Sequence, residues 1–289
     1  MMRSTPRFFA HLSLIAALLL AVVVLGAGSA GAFEITQPIP NSNQTACIDV
    51  KGADTASGTP IESYPCSGFF NEQWTLTGSG IEGIGTANGA VTLLCVPPGA
   101  QQLPLPVALE GCSADWVLMS NSQIEDTDVQ GCLDSQGKYG SGAQAILAEC
   151  STSSSQSWVL KDIVIQQPIP NSIEQSCVDV RGNAIANHTP ADAYPCTLGD
   201  NERWNFVKGR LQTMGTDKNA LTCLGVTSGG KVELETCNDS PNQAWRIAAA
   251  GDIVNVGTNK CLDSMGKYGD VQLVIAPCKF NASQRWVLR

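Results

Sequence analysis

"ESYPCSGFFNEQW", Glu62 to Trp74, and "DAYPCTLGDNERW", Asp192 to Trp204, share Tyr-Pro-Cys followed by Asn-Glu-x-Trp at one spacing. The cysteine-to-tryptophan interval recurs beyond these two stretches. Twelve cysteines stand at positions 47, 66, 95, 112, 132, 150, 177, 196, 223, 237, 261 and 278. Taken in successive pairs they lie 19, 17, 18, 19, 14 and 17 residues apart, and one tryptophan follows each pair: Trp74, Trp116, Trp158, Trp204, Trp245 and Trp286. The interval from second cysteine to tryptophan is eight residues in five pairs and four in the pair ending at Cys112. All six tryptophans of the chain occupy this slot. Six units of about 40 residues are the signature of a repeat architecture.

A longer period overlies the short one. "QPIPNS" occurs at Gln37 and Gln167, and "CLDSQGKYG" at Cys132 is answered by "CLDSMGKYG" at Cys261. Three units therefore make a half, and the half is duplicated, with the boundary in "KDIVI", Lys161 to Ile165. The halves are taken as 33–161 and 162–289. No Pro/Ser-rich linker separates them, so they are expected to abut. Within units, "ACIDV", "SCVDV", "QAILAEC", "KVELETC" and "VQLVIAPC" are short strand-like runs between Gly, Asn, Ser and Pro. Nothing sustains a helical period. The fold class is all-β: two tandem three-fold β-trefoils, in which three units close around one core and leave no exposed edge.

Export and disulfides follow together. Arg3 and Arg7, the uncharged run Leu12 to Gly26 and "AGA" at Ala30 to Ala32 read as a secretory signal peptide, residues 1–32. The expected product is secreted, with no membrane insertion after cleavage; an uncleaved membrane anchor is the alternative, since the run approaches spanning length. An even number of cysteines in an exported chain reads as disulfides. One bridge per unit gives Cys47–Cys66, Cys95–Cys112, Cys132–Cys150, Cys177–Cys196, Cys223–Cys237 and Cys261–Cys278, each worth on the order of 3 kcal/mol; pairing between units is the alternative.

Of 17 basic residues, Arg3 and Arg7 leave with the signal, so 15 face 26 acidic ones, a net charge near −11. This argues against nucleic acid and anionic membranes as partners. His11 leaves too, so His188 is the one remaining histidine, which rules out a multi-histidine metal site. No CxxC exists for zinc or thiol chemistry. No cofactor and no metal is expected.

The units resemble the ricin B-type lectins, whose signature is Gln-x-Trp near the end of each unit. "QSW", "QAW" and "QRW" end at Trp158, Trp245 and Trp286; "EQW" at Trp74 and "ERW" at Trp204 carry glutamate instead, and "ADW" at Trp116 departs further. The resemblance spans the whole mature chain. It implies that a binding unit has an aspartate two residues after its first cysteine, an aromatic near the second, and Asn-Gln before the tryptophan. The first unit supplies Asp49, Tyr64, Asn71 and Glu72; the fourth supplies Asp179, Tyr194, Asn201 and Glu202. Singly, such residues are ordinary turn, core-edge and loop residues. Together, in both halves, they suit a sugar: the carboxylate accepts hydroxyl hydrogen bonds, the amide donates and accepts, and the ring covers a C–H face. Where the family has glutamine, Glu72 and Glu202 would repel the aspartate unless a proton or a cation intervenes, which opens the site to pH dependence or Ca²⁺ assistance.

The third and sixth units keep Asp134, Gln156, Asp263 and Gln284 but carry Ala148 and Ala276 at the aromatic position, so they are weaker candidates. Tyr139 and Tyr268 in "GKYG" are either rings reaching in from another loop or turn residues. In the second and fifth units Pro97 and Gly225 stand where the aspartate belongs, and Asn242 and Gln243 lack a partner carboxylate. The resemblance implies a non-catalytic lectin for galactose or N-acetylgalactosamine glycans. The alternative is a protein-interaction or toxin-accessory trefoil that has lost sugar binding. An Asp49–Glu72 glycosidase pair is disfavoured, because the pair recurs on a small binding scaffold with no catalytic domain beside it.

Overall fold

The structure is a computed structural model that describes residues 32–77, 80–83, 93–96, 102–111, 115–170, 172–214, 222–248 and 250–289. The expected signal segment up to Gly31, Pro97 and Cys112 lie outside the described residues. Strands and short 3-10 turns account for all the regular structure described, and none of it is α-helix.

Each repeat is built around its tryptophan. All six indoles are buried, at 0–1% exposure. In five repeats the indole N–H donates to the carbonyl of the residue after the first cysteine: Ile48 (3.0 Å), Leu133 (2.8 Å), Val178 (3.0 Å), Leu224 (2.9 Å) and Leu262 (3.1 Å). Burying such a ring removes about 150–250 Å² from water, worth about 4–6 kcal/mol. The N–H must then find a partner, and a strand carbonyl supplies it. Disulfides Cys47–Cys66, Cys132–Cys150, Cys177–Cys196, Cys223–Cys237 and Cys261–Cys278 clamp the same strands, with Cα atoms 4.9–5.0 Å apart. Cys95 is also disulfide-bonded.

The second repeat corrects the sequence alignment. Trp116 donates to Leu94, the residue before Cys95. Leu94 pairs with Leu109 and Cys95 with Ala108, as Ile48 pairs with Ser63 and Asp49 with Glu62. Cys95 itself, rather than Pro97, therefore occupies the aspartate position. The cysteine sits two residues late on its strand, which spacing counted from cysteines could not reveal.

The strand Val159–Pro168 serves both halves. Its first residues pair with Phe33–Pro38, Thr36 opposite Val159 and Glu34 opposite Lys161. After a register shift between Leu160 and Ile163, its later residues pair with Val287–Leu288, Ile165 opposite Leu288. Asp162 takes a positive φ of 62° at the shift. The residues two after each tryptophan then close the two halves onto each other. Leu76 lies opposite Leu288, Leu118 opposite Ile247, and Leu160 opposite Phe206, all at 0–1% exposure. First repeat meets sixth, second meets fifth and third meets fourth, the pattern of an approximate two-fold axis. These apolar residues belong to one buried cluster that runs through both halves.

The repeated motifs have a structural use. Gln37 of "QPIPNS" donates to the carbonyls of Ser154 (2.5 Å) and Ser157 (3.1 Å) and accepts from the Ser135 hydroxyl of "CLDS" (2.6 Å). Gln167 does the same with Ala282, Arg285 and Ser264. Both glutamines tie the first strand of a half to its third repeat.

Gly209, at φ +70°, marks a tight approach between halves: a Cβ there would lie 2.1 Å from the Ser120 carbonyl oxygen. Gly209→Ala is expected to lower stability by about 1–3 kcal/mol. Gly137→Ala, also at positive φ (+64°) but with nothing within 4 Å, is expected to cost only the backbone strain. Thermal unfolding of the two variants side by side checks this; equal losses would remove the steric contribution at Gly209.

Candidate functional site

The first repeat forms an open cleft of about 430 Å³. Strands Thr45–Val50 and Ile61–Pro65 place Cys47 opposite Tyr64 and Asp49 opposite Glu62. The 3-10 turn Phe70–Glu72 then brings Asn71 to Asp49: its Nδ2 donates to Asp49 Oδ2 at 2.5 Å and to the Val50 carbonyl at 3.2 Å. Asp49 Oδ1 takes no hydrogen bond from the described residues. Tyr64 lines the cleft with its ring 40% exposed. Phe69 lines the cleft as well, and Ser141 enters it from the third repeat.

The fourth repeat repeats this arrangement in a cleft of about 350 Å³ lined by Asp179, Tyr194 and Asn201. Asn201 Nδ2 donates to Asp179 Oδ2 and, at 3.4 Å, to the Val180 carbonyl. Asp270 stands where the first cleft has Ser141. Beside it, Arg181 holds the buried Asp192 with two hydrogen bonds of 2.6 and 2.7 Å. The sequence motifs thus locate three walls of each cleft. Glu62 and Asp192 were visible in the same slot of the two quoted stretches. Ser141 and Asp270 carried no signal, because they arrive from another repeat.

Glu72 and Glu202 do not face the clefts; both have no exposed surface. Glu72 accepts from the Ser67 N–H at 2.9 Å to both oxygens, from the Ser67 hydroxyl at 2.8 Å and from the Gly68 N–H at 2.8 Å. Glu202 takes the matching bonds from Thr197 and Leu198. Gln156 shows what a glutamine does in this position: its Nε2 donates to Asp134 Oδ2 at 3.0 Å and its Oε1 accepts from the Ser151 N–H at 2.7 Å. The glutamates keep the accepting half of that role and lose the donating half. They pin the loop and leave the aspartate a charged neighbour in place of a donor.

The electrostatic result is specific. Burial first, then the Glu72 carboxylate, then Glu62, push the Asp49 carboxyl up to about 7 from its ordinary 3.8. Burial, then Glu202, Asp192 and Asp270, push Asp179 up to about 7. Among the described residues the one cluster of potential cation ligands is Glu34, Cys47 and Glu72, with Cys47 Sγ committed to a disulfide and Asp49 not a member.

The third, fifth and sixth repeats satisfy their carboxylates from within. Asp134 gives Oδ2 to Gln156 and Oδ1 to the Gln136 N–H at 2.6 Å; Asp263 gives Oδ2 to Gln284 and Oδ1 to the Met265 N–H at 2.6 Å. Neither carboxylate keeps the free oxygen that Asp49 has. Tyr139 donates its hydroxyl to Gln37 at 3.1 Å, and Tyr268 packs against the core, so both belong to the scaffold. In the fifth repeat Asn242 and Gln243 do have a carboxylate: Glu235 Oε2 accepts from them at 3.3 and 3.0 Å. Glu235 lies across Gly225, where a Cβ would meet it at 3.0 Å. The expectation that these amides lacked a partner is corrected, because the carboxylate comes from the second strand rather than the first.

A carboxyl that holds its proton more tightly when folded stabilises the fold fully below its unfolded pKa, and that contribution is lost as pH rises to the folded value. The Asp49 and Asp179 contribution is therefore expected to decline between 3.8 and about 7. Asp49→Asn with Asp179→Asn is expected to flatten the fall of the thermal midpoint across that window. An unchanged slope would assign the proton uptake to other groups.

A family model described as "Ricin-type beta-trefoil lectin domain" matches residues 36–158 and 166–286. Volkensin of Adenia volkensii is 23% identical over 253 residues, 84% of this chain and 46% of that protein. The agglutinin of Ricinus communis is 24% identical over 253 residues, 83% of this chain and 43% of that protein. The chain spans less than half the length of either relative. Among solved structures, a non-toxic homologue of type II RIPs from Momordica charantia, in complex with α-methyl-D-galactoside, is 16% identical with a TM-score of 0.37, over 89% of this chain and 96% of that one. Two matched segments cover most of the sequence, and each falls on one set of three tryptophan-centred repeats; the chain belongs to the ricin-type β-trefoil lectin domain family, in two tandem copies.

Proposed function

We propose that the protein is a secreted, non-catalytic lectin that binds galactose-type glycans through the first repeat of each trefoil. The family supports carbohydrate binding; the choice of repeats rests on one observation. Among the described residues, only the first and fourth repeats combine an aspartate that keeps a free oxygen, an amide fixed on its other oxygen, and an exposed tyrosine in the same cleft. The free oxygen accepts a hydroxyl, the Asn71 or Asn201 amide oxygen accepts another, and the tyrosine covers the C–H face of a galactose-like ring. Two shallow sites on one rigid chain gain strength on a multivalent surface through effective concentration. Export by cleavage after the apolar leader is part of this reading. The disulfides support it, since such bridges persist in oxidising compartments.

A second reading is a protein-interaction or toxin-accessory trefoil without sugar binding. The loss of the glutamine donor beneath Asp49 and Asp179 favours it. A glycan array separates the two. The mature chain is expected to bind terminal galactose or N-acetylgalactosamine, and Asp49→Ala with Asp179→Ala to abolish that signal while retaining the folded near-UV spectrum. A silent array from folded wild-type protein would reject the lectin reading.

The raised aspartates add a pH test. Binding that uses an ionised carboxylate is expected to weaken as pH falls through about 7. Glu72→Gln with Glu202→Gln restores the donor and removes a neighbouring charge, so its binding profile is expected to extend further into acid. Titration calorimetry from pH 8 to pH 5 reads the shift; identical profiles would show that the aspartates do not govern binding.

A further inference from the structure

We propose that the first-repeat cleft is a two-ring site, in which Tyr64 carries one sugar ring and Phe69 carries the ring linked to it, whereas the fourth-repeat cleft takes a single ring. This rests on the lectin reading above. Phe69 is 63% exposed and lines the same cleft as Asp49, Tyr64 and Asn71. An exposed aromatic ring in the wall of a polar cleft offers a flat apolar face to the C–H side of a sugar ring. Its neighbour Phe70, 52% exposed, lines a separate small hollow with Val50, Ala53 and Leu109 rather than the cleft.

The loop that carries Phe69 is held before any ligand arrives. Buried Glu72 fixes the Ser67 and Gly68 amides just before it. The Glu72 N–H donates to the Phe69 carbonyl at 3.1 Å, and the Phe69 N–H donates to the Ser67 hydroxyl at 3.4 Å. With the backbone fixed at both ends, only the side-chain torsions remain to be ordered on binding. A flat apolar face next to hydroxyl-binding groups matches the alternation of C–H face and hydroxyl rim along a neutral disaccharide. Asp49 Oδ1 and the Asn71 amide oxygen, which take no hydrogen bond from the described residues, select such a ligand over an apolar protein segment, which would leave both oxygens covered and unpaired.

The fourth repeat is the internal control. Its loop is pinned in the same way, by Glu202 on Thr197 and Leu198. Yet Gly199 stands where Phe69 does, and Asp200 where Phe70 does. Its cleft is smaller, about 350 against 430 Å³, and has Asp270 in place of Ser141. The two trefoils thus share a first-ring site and differ in what lies beyond it.

Titration calorimetry with methyl β-galactoside and methyl β-lactoside tests this on single-site variants. In Asp179→Ala, where only the first-repeat cleft remains, the lactoside is expected to bind about two- to tenfold tighter than the galactoside, the worth of one aromatic stacking contact. Phe69→Ala in that background is expected to bring the ratio to about one, and Phe69→Trp to keep it. In Asp49→Ala, where only the fourth-repeat cleft remains, the ratio is expected to be about one throughout. A ratio of one in Asp179→Ala, or a ratio unaffected by Phe69→Ala, overturns the proposal while leaving the lectin reading intact. Wild-type protein that binds neither glycoside overturns both.

Discussion

Everything in this molecule hangs on one repeated contact: an indole N–H, buried beyond the reach of water, donating to a strand carbonyl of its own repeat. The ring supplies the apolar mass that a 40-residue unit otherwise lacks. The hydrogen bond orients that mass against the first-cysteine strand, and the disulfide holds the second strand to it. The 3-10 turn before the tryptophan inherits its position from the ring. Asn71 and Asn201 therefore reach their aspartates because Trp74 and Trp204 are anchored three residues later. The cleft residues are satellites of the core contact, which is why repeats with such a cleft and repeats without one can share one fold.

Duplication also joined the trefoils through buried apolar residues. The residue two after each tryptophan is buried like the ring itself, as the two-residue period of a strand face requires. Pairing Leu76, Leu118 and Leu160 with Leu288, Ile247 and Phe206 joins the halves at all six. Reciprocal pairing also explains why no linker is needed. A single strand, Val159–Pro168, turns from one barrel into the next through a register shift at Asp162.

The exchange of glutamine for glutamate in the first and fourth repeats changes electrostatics more than geometry. The loop beneath the cleft keeps its shape, because two backbone N–H groups and a hydroxyl satisfy a carboxylate as well as they satisfy an amide oxygen. The aspartate above loses a donor and gains a charge. Burial, the larger cause, and that added charge together move its titration into the neutral range. The fifth repeat solves a related problem in the opposite direction: Gly225 removes the side chain from the first strand, and Glu235 on the second supplies the carboxylate.

Periodicity in the sequence alone determined the number of repeats, their grouping in threes, the all-β class and five disulfides seen among the described residues, because buried rings and bridges recur at fixed intervals along the chain. It also marked Asp49, Tyr64 and Asn71 and their counterparts as neighbours, since each trio lies on one hairpin and the turn that follows it. Tertiary structure decided what depends on contacts between repeats or on strand register. Ser141 and Asp270 enter the clefts from a third repeat. Glu72 and Glu202 are buried by a loop folding over them. Cys95 sits two residues out of step on its strand. Spacing records distance along a chain; side-chain exposure and cross-repeat approach arise only when three hairpins close on a common core.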